Sequence, residues 1–413
     1  MYFFYLLVFA APMPNHPLFE AHLLGFTGIK WIGIACCVYA FYEMWKGRSS
    51  RGAWRTTEVR AFAVLFCIAA VSSLTLSKRG TITFNPMASY LSFALLFFVA
   101  AILVNSYERL HKTLLAAMAG DALTSLYVIR EFQASGGEVT RPGYIAGDSN
   151  YFATCALLVI PFAMYFAWKG KVRKERWFCV ISLVFILMAF TLASSRGALI
   201  GLGTEITCLM LLSGKSRKSA ILVAAILLPL LLYAPSSPLS RLLHPAYGDE
   251  LGSQIRWHFW KSGLDMIQGH PLTGIGLGNF SAYSNMFIHG AGRRHGMACN
   301  TLLELTAELG IPGLLAYIMI LWGAMRSAVK LRLAGMNNGV PALQHIGEAM
   351  LTGLLGFIAA SMFVSAEYQK PFWVMVALSA VVPALLKQQD LNRSKPLHIQ
   401  TNAEGHRGIL TAA

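Results

Sequence analysis

Apolar runs of about twenty residues recur along this chain between short polar connections, and no other feature limits its possible folds so tightly. Inside a bilayer no water reaches the backbone, so such runs are held to helices that satisfy their own N–H and C=O groups. A helix rises about 1.5 Å per residue, so roughly twenty residues cross a hydrocarbon core of about 30 Å. Hydropathy places twelve spans, at 2–13, 25–44, 61–77, 87–104, 113–132, 151–168, 177–193, 198–214, 219–235, 299–325, 346–368 and 371–387. The first is short. It lacks a basic n-region and a small-residue cleavage site, so it reads as a span rather than a cleaved signal peptide. The expected fold class is an all-α polytopic membrane protein with about twelve transmembrane helices.

Composition agrees. The 413 residues are 56% hydrophobic and 13% charged, with mean hydropathy +0.54, whereas soluble domains are nearer one quarter charged. A net charge of +15 would suggest nucleic acid in a soluble chain. Here the excess of Lys and Arg at cytoplasmic loops explains it, and no basic patch is interleaved with aromatics, so no nucleic-acid partner is expected. Most of the 34 Lys and Arg fall on one set of loops, including KGKVRKER (169–176), which orients both termini to the cytoplasm. Residues 1–388 then form one integral-membrane domain surrounded by membrane lipids. Residues 236–298 form a large outward loop, and 389–413 a polar, disordered cytoplasmic tail.

Six of the seven cysteines (36, 37, 67, 155, 179 and 208) lie in apolar runs without metal or CxxC spacing, and read as small packing residues. Asp121 and Glu205, alone in spans five and eight, read as satisfied packing groups. No metal site and no cofactor are expected.

The chemistry concentrates where the large loop returns to the bilayer carrying Arg, Asn and Glu, because polar groups at that depth are costly and mark functional sites. Arg196 sits in a turn between two spans. Arg256 opens an amphipathic segment with Trp257, Phe259, Trp260, Leu264 and Ile267 as its apolar side. Planar guanidiniums at the mouth of a bundle suit phosphate oxygens, and a pair suits a pyrophosphate. Arg141, before Pro142-Gly143, reads first as an interfacial anchor and second as a third member of that set. The glycines of GIGLGN (274–279) lack a buried strand and a Walker-type lysine, so they read as a tight backbone turn rather than a nucleotide loop. Glu304 and Glu308 share a helix face. Glu304 reads equally as an acid–base group or as the partner of Arg293 or Arg294, and Glu308 as the securing group of the break at Gly310-Ile311-Pro312-Gly313.

Five motifs in order carry a resemblance: GDSNYFA (147–153), SSRG (194–197), Arg256, HPLTGIGLGNF (270–280) and CNTLLELTAELGIPG (299–313). Together, over about 140–330, they resemble the O-antigen ligase and O-antigen polymerase-like superfamily of bacterial envelope glycosyltransferases. The resemblance implies a GT-C-like membrane fold in the inner (cytoplasmic) membrane, with the large loop and active site facing the periplasm. It implies transfer of a glycan from an undecaprenyl-pyrophosphate carrier to an acceptor hydroxyl, without metal or nucleotide sugar. The acceptor is lipid A–core in the ligases, a growing glycan in the polymerases, and a protein Ser or Thr in a third branch. Carried over by residue, Arg196 and Arg256 hold the pyrophosphate.

One position departs from the pattern. The ligases place a histidine immediately before the re-entry Asn, and this chain has Cys299. A buried thiol stays protonated and is a poor base. Three readings stay open: His295, His289 or Glu304 supplies the base beside Asn300; pyrophosphate departure leads and little base help is needed; or the chain has another acceptor, or is inactive. A transporter is the rival class, since it too uses broken helices and intramembrane charge. Against it, the two halves show no corresponding interrupted segments. A structural scaffold leaves the outer arginines without a purpose.

Overall fold

The computed structural model describes residues 1–20, 22–23, 26–47, 55–76, 80–136, 142–170, 172–212, 247–287 and 296–394. The expected ninth span (219–235), Arg141, His289, Arg293, Arg294 and His295 lie outside the described residues, as does the chain from 395. The described part is helical apart from one two-residue antiparallel pair, His22–Leu23 with Phe26–Thr27. Its helices are α1 (Tyr2–Ala10), α2 (Pro17–Glu20), α3 (Gly28–Trp45), α4 (Thr57–Leu76), α5 (Gly80–Leu103), α6 (Tyr107–Ala134), α7 (Ser149–Ala156), α8 (Ile160–Lys169), α9 (Arg173–Leu192), α10 (Arg196–Leu212), α11 (Tyr247–Gly269), α12 (Phe280–Phe287), α13 (Thr301–Asn337), α14 (Pro341–Ser361) and α15 (Lys370–Ser394).

Each expected span other than the ninth coincides with one of these helices or with the α7–α8 pair. Seven are long and apolar enough to cross a membrane, or eight if α7 and α8, bent by 42° at their break, form one span. Pro161 sits in the first turn of α8, where its missing N–H is tolerated, so the sequence restarts the helix there. α6 and α7 start on side-chain caps: Ser106 accepts from the Arg109 N–H at 3.3 Å and Asp148 from the Asn150 N–H at 2.7 Å.

α13 is the organising element, packed against α14, α4 and α15. Trp373 of α15 is fully buried, stacked on Phe93 of α5 at 4.9 Å and edge-on to Phe62 of α4 at 5.2 Å. At the end of the bundle away from the re-entry, buried Glu348 accepts from Arg332 Nε (3.3 Å) and Gln344 Nε2 (2.9 Å), and pairs with His345 Nδ1 at 3.0 Å. Arg332 also donates to the Leu212 carbonyl at 3.0 Å, closing the end of α10.

The structure corrects several boundaries and two packing readings. α13 continues to Asn337, past the expected end at 325, and α15 to Ser394, past the expected span end at 387. α14 stops at Ser361, so residues expected at the end of a span form a turn. Asp121 and Glu205 are buried but not satisfied: Asp121 Oδ1 and both Glu205 carboxylate oxygens have no hydrogen-bond partner. Apolar flanking sequence foretold their burial, whereas partners depend on tertiary neighbours. Cys67 faces outward instead of packing.

Candidate active site at the re-entry

Two residues other than glycine have positive φ among the described residues: Ser194 (53°) and Cys299 (49°). Each lies immediately before a helix that opens on a site motif. Such backbone costs of order 1–3 kcal/mol and persists only where the surroundings impose it. Ser195 Oγ accepts from the Ala198 N–H at 3.4 Å, capping α10 directly before Arg196. Asn300 Oδ1 accepts from the Leu303 N–H at 3.1 Å, capping α13. The two strained turns therefore aim two helix N-termini, with their partial positive charge, from the same end of the bundle.

The other motifs converge on these turns. Trp260 of α11 donates through Nε1 to the Ala298 carbonyl at 2.8 Å. Arg256 lies one turn earlier on the same face. Tyr151 of α7 donates to Met297 Sδ at 3.3 Å. Gly197 has room only for hydrogen, since a Cβ there would lie 2.7 Å from Phe363 Cβ in the turn between α14 and α15. Arg196 stands at the mouth of α10, ahead of the apolar run. Burial first, and then the field of Arg256, lower its pKa. The two guanidiniums thus share one electrostatic environment although their motifs are sixty residues apart in sequence.

α13 breaks at Gly310 (φ 70°, ψ −177°), and Pro312 has no N–H to give. The freed groups bond the glycine loop instead. Ile275 N–H donates to Ala307 O at 2.9 Å, Gly276 N–H to Glu308 O at 3.0 Å, and Ile311 N–H to Pro271 O at 2.8 Å. The GIGLGN segment is a tight turn with positive φ at Gly274, Gly276 and Gly278, as its composition suggested. Leu277 N–H donates to Ser72 Oγ of α4 at 3.2 Å, fixing the loop to the bundle. Glu308 secures the break: its Oε1 accepts from the Phe280 N–H at 3.1 Å at the start of α12.

Glu304 is buried. Its Oε2 accepts from the Ala298 N–H at 2.9 Å and from the Ser365 hydroxyl. Thr301 accepts from the Ala366 N–H at 2.9 Å and donates to the Val364 carbonyl at 2.8 Å, so the re-entry is stitched to the α14–α15 turn. Residues 362–369 were not singled out in the sequence. Their one signal was Ser365, Glu367 and Tyr368 clustered within an otherwise apolar stretch. On α11 the apolar residues divide: Phe259 is buried, whereas Trp257 and Leu264 are exposed.

The fold and this site define a polytopic helical membrane protein with a cationic, twice-capped mouth built from a long loop and its return to the bundle. Residues 181–318, a third of the chain, match the family model described as O-antigen ligase, which supports the resemblance to the O-antigen ligase-like superfamily. The match covers α9 from residue 181 onward, α10, α11, α12 and the first half of α13, including Arg196, Arg256 and Asn300. It supports glycan transfer of the ligase or polymerase type in general. No curated protein matches the chain.

Proposed function

We propose that this protein transfers a glycan from an undecaprenyl-pyrophosphate-linked donor to an acceptor hydroxyl at the periplasmic face of the inner membrane, as a metal-independent transferase with twelve spans. The observation that carries this reading is that Arg196 opens α10 directly after its Ser195 cap and feels the charge of Arg256, which lies one turn from the Trp260 that bonds the re-entry at Ala298. Two forks and two positive helix ends match a pyrophosphate, whose charge grows as it leaves. The bond from the sugar C1 to the phosphate oxygen breaks, and its electron pair goes to the pyrophosphate. The acceptor oxygen bonds C1, and its proton passes to the departing pyrophosphate or to solvent. Asn300 Oδ1 is occupied by the Leu303 N–H, which leaves its amide N–H₂ to orient the acceptor oxygen. Glu304 supports that geometry from beneath, through Ala298 and Ser365. His295, adjacent in sequence to the described Gly296, is the second candidate for contact with the acceptor, and Arg141 for the donor.

The test is transfer from a lipid-linked donor by purified protein in liposomes, with Arg196→Ala and Arg256→Ala. Loss of transfer in folded variants supports the reading, and wild-type rates in both overturn it. The transporter alternative has less support, because the carbonyls freed at the α13 break are taken by the glycine loop.

A further inference from the structure

Three carboxylates come together under the re-entry, and one of them has no partner. Glu304 and Glu308 lie one helical turn apart on α13. The α14–α15 turn reaches both, with Ser365 on Glu304 and the Tyr368 hydroxyl 3.5 Å from Glu308 Oε2. Glu367 lies between these two anchors. It is 1% exposed, and neither of its carboxylate oxygens has a hydrogen-bond partner. The Tyr90 hydroxyl of α5, fully buried and edge-on to Tyr368 at 5.9 Å, also has none.

Hydrogen-bond donors are divided unequally among the three acids. Glu304 receives the Ala298 N–H and the Ser365 hydroxyl. Glu308 receives the backbone of Gly278 and Phe280. Donors favour a carboxylate's charged form, and burial without donors favours its neutral form. Three negative charges in one dry pocket repel strongly, and a proton on Glu367, which receives at most its own backbone N–H, relieves that at least cost.

We infer that Glu304, Glu308 and Glu367 form one proton-binding site, in which Glu367 is held as the neutral acid and acts as a positioning residue for the re-entry at Asn300. The titratable groups facing Glu367 are Glu304, Glu308 and Tyr317 on α13, Tyr90 on α5, Tyr151 on α7 and Tyr368 beside it, and every one is an acid. Burial first, and the field of Glu304 next, push the Glu367 carboxyl well above the usual carboxylate range. The neutral form is therefore present below that raised value and is lost as pH rises through it. Ionisation adds an unpaired charge beside Glu304, loosening the Ser365 and Ala298 contacts that set Cys299 and Asn300. The sequence departs from the family's histidine at this point, and a buried proton held next to Glu304 is the feature the fold supplies there.

The link to transfer rests on the function proposed above, whereas the location of the proton does not. Infrared spectroscopy of the purified protein in lipid reads the proton directly. Because Asp121 and Glu205 are also buried without full partners, the background is the Asp121→Asn, Glu205→Gln protein. A carboxylic-acid C=O band is expected in it near neutral pH, and Glu367→Gln should remove the largest share of that band. Absence of the band in the folded background protein overturns the inference even if Glu367→Gln fails to fold. Persistence of the band at undiminished strength in Glu367→Gln overturns it as well. In the transfer assay, the wild type should lose rate on the alkaline side, and Glu367→Gln, a mimic of the neutral acid, should shift that limb upward or remove it. Coincident limbs in the two proteins overturn the positioning role. If no variant or wild-type protein transfers glycan while the band behaves as expected, the proposed function fails and the proton site stands.

Discussion

The Ile311 N–H donates to the Pro271 carbonyl at 2.8 Å rather than completing a helical bond to Ala307. Through that exchange the outward loop becomes part of a broken helix. The loop's backbone does for α13 what water does for a broken helix in solution, and it allows the chain to unwind where hydrocarbon otherwise forbids it.

Because the exchange needs two backbones in close approach, Gly310 and Gly274 should not tolerate a side chain. Both have positive φ, and an added Cβ would lie 2.5 Å from Leu272 O at Gly310 and 2.2 Å from Glu308 O at Gly274. Gly310→Ala and Gly274→Ala should each destabilise by ~1–3 kcal/mol from backbone strain alone, with overlap adding to it. Thermal unfolding in detergent measures this. An unchanged Tm in either variant would contradict the proposed packing of loop and break.

At the far end of the bundle, Glu348 is the acceptor shared by Arg332, Gln344 and His345. Glu348→Ala leaves the Arg332 guanidinium without its carboxylate in a mostly buried setting, which typically costs about 3–5 kcal/mol. Glu348→Gln keeps the shape and should cost less. Equal unfolding midpoints for the two variants would show that the charge is irrelevant and only packing counts.

Much of this fold could be read from hydropathy because period-independent apolar runs of span length have few alternatives. The motifs were likewise readable as an ordered set. Side-chain partners were not, because they lie across the sequence: Trp260 reaches Ala298, and Tyr151 reaches Met297. Glu367 is illegible in the sequence for a definite reason: apolar composition continues from 346 to 368, which hides the turn beginning after Ser361 and with it the residues that grip Thr301 and Glu304. The helix pattern of α11 misled in a similar way, since Trp257 and Leu264 sit on the edge of its apolar arc and stay exposed while Phe259 packs.

The orientation proposed from loop charge, with both termini inside, puts Ser281 at the start of α12 on the periplasmic side. A Ser281→Cys protein should react with an impermeant thiol reagent in cells whose outer membrane alone has been opened. Labelling that requires opening of the inner membrane would put the site on the wrong face for a periplasmic transferase.

For the arginine pair, losing one charge-assisted fork should cost on the order of 1.5–3 kcal/mol in donor binding. Lysine should rescue each position only in part, since it cannot form the bidentate contact. Because the field of Arg256 reaches Arg196, the double alanine variant should lose less than the two single losses added together. Strict additivity of the two losses would argue that the arginines serve separate groups.

Asn300 combines two tasks that substitutions can separate. Its Oδ1 caps α13 by accepting from Leu303 N–H, and its amide N–H₂ is proposed to meet the acceptor. Asn300→Ala removes both and should cost ~1 kcal/mol of stability through the lost cap, together with loss of transfer. Asn300→Asp keeps the cap oxygen and gains from the helix N-terminus, so its Tm should match or exceed that of the wild type, yet transfer should fall because the N–H donor is gone. Cys299→Ala should leave transfer unchanged, since the thiol is a bystander. Cys299→Gly should fold at least as well, because φ 49° suits glycine. Full transfer by Asn300→Asp would mean that the residue only caps α13. A folded but inactive Cys299→Ala would show the thiol to be part of the chemistry and would move the acceptor contact one residue upstream.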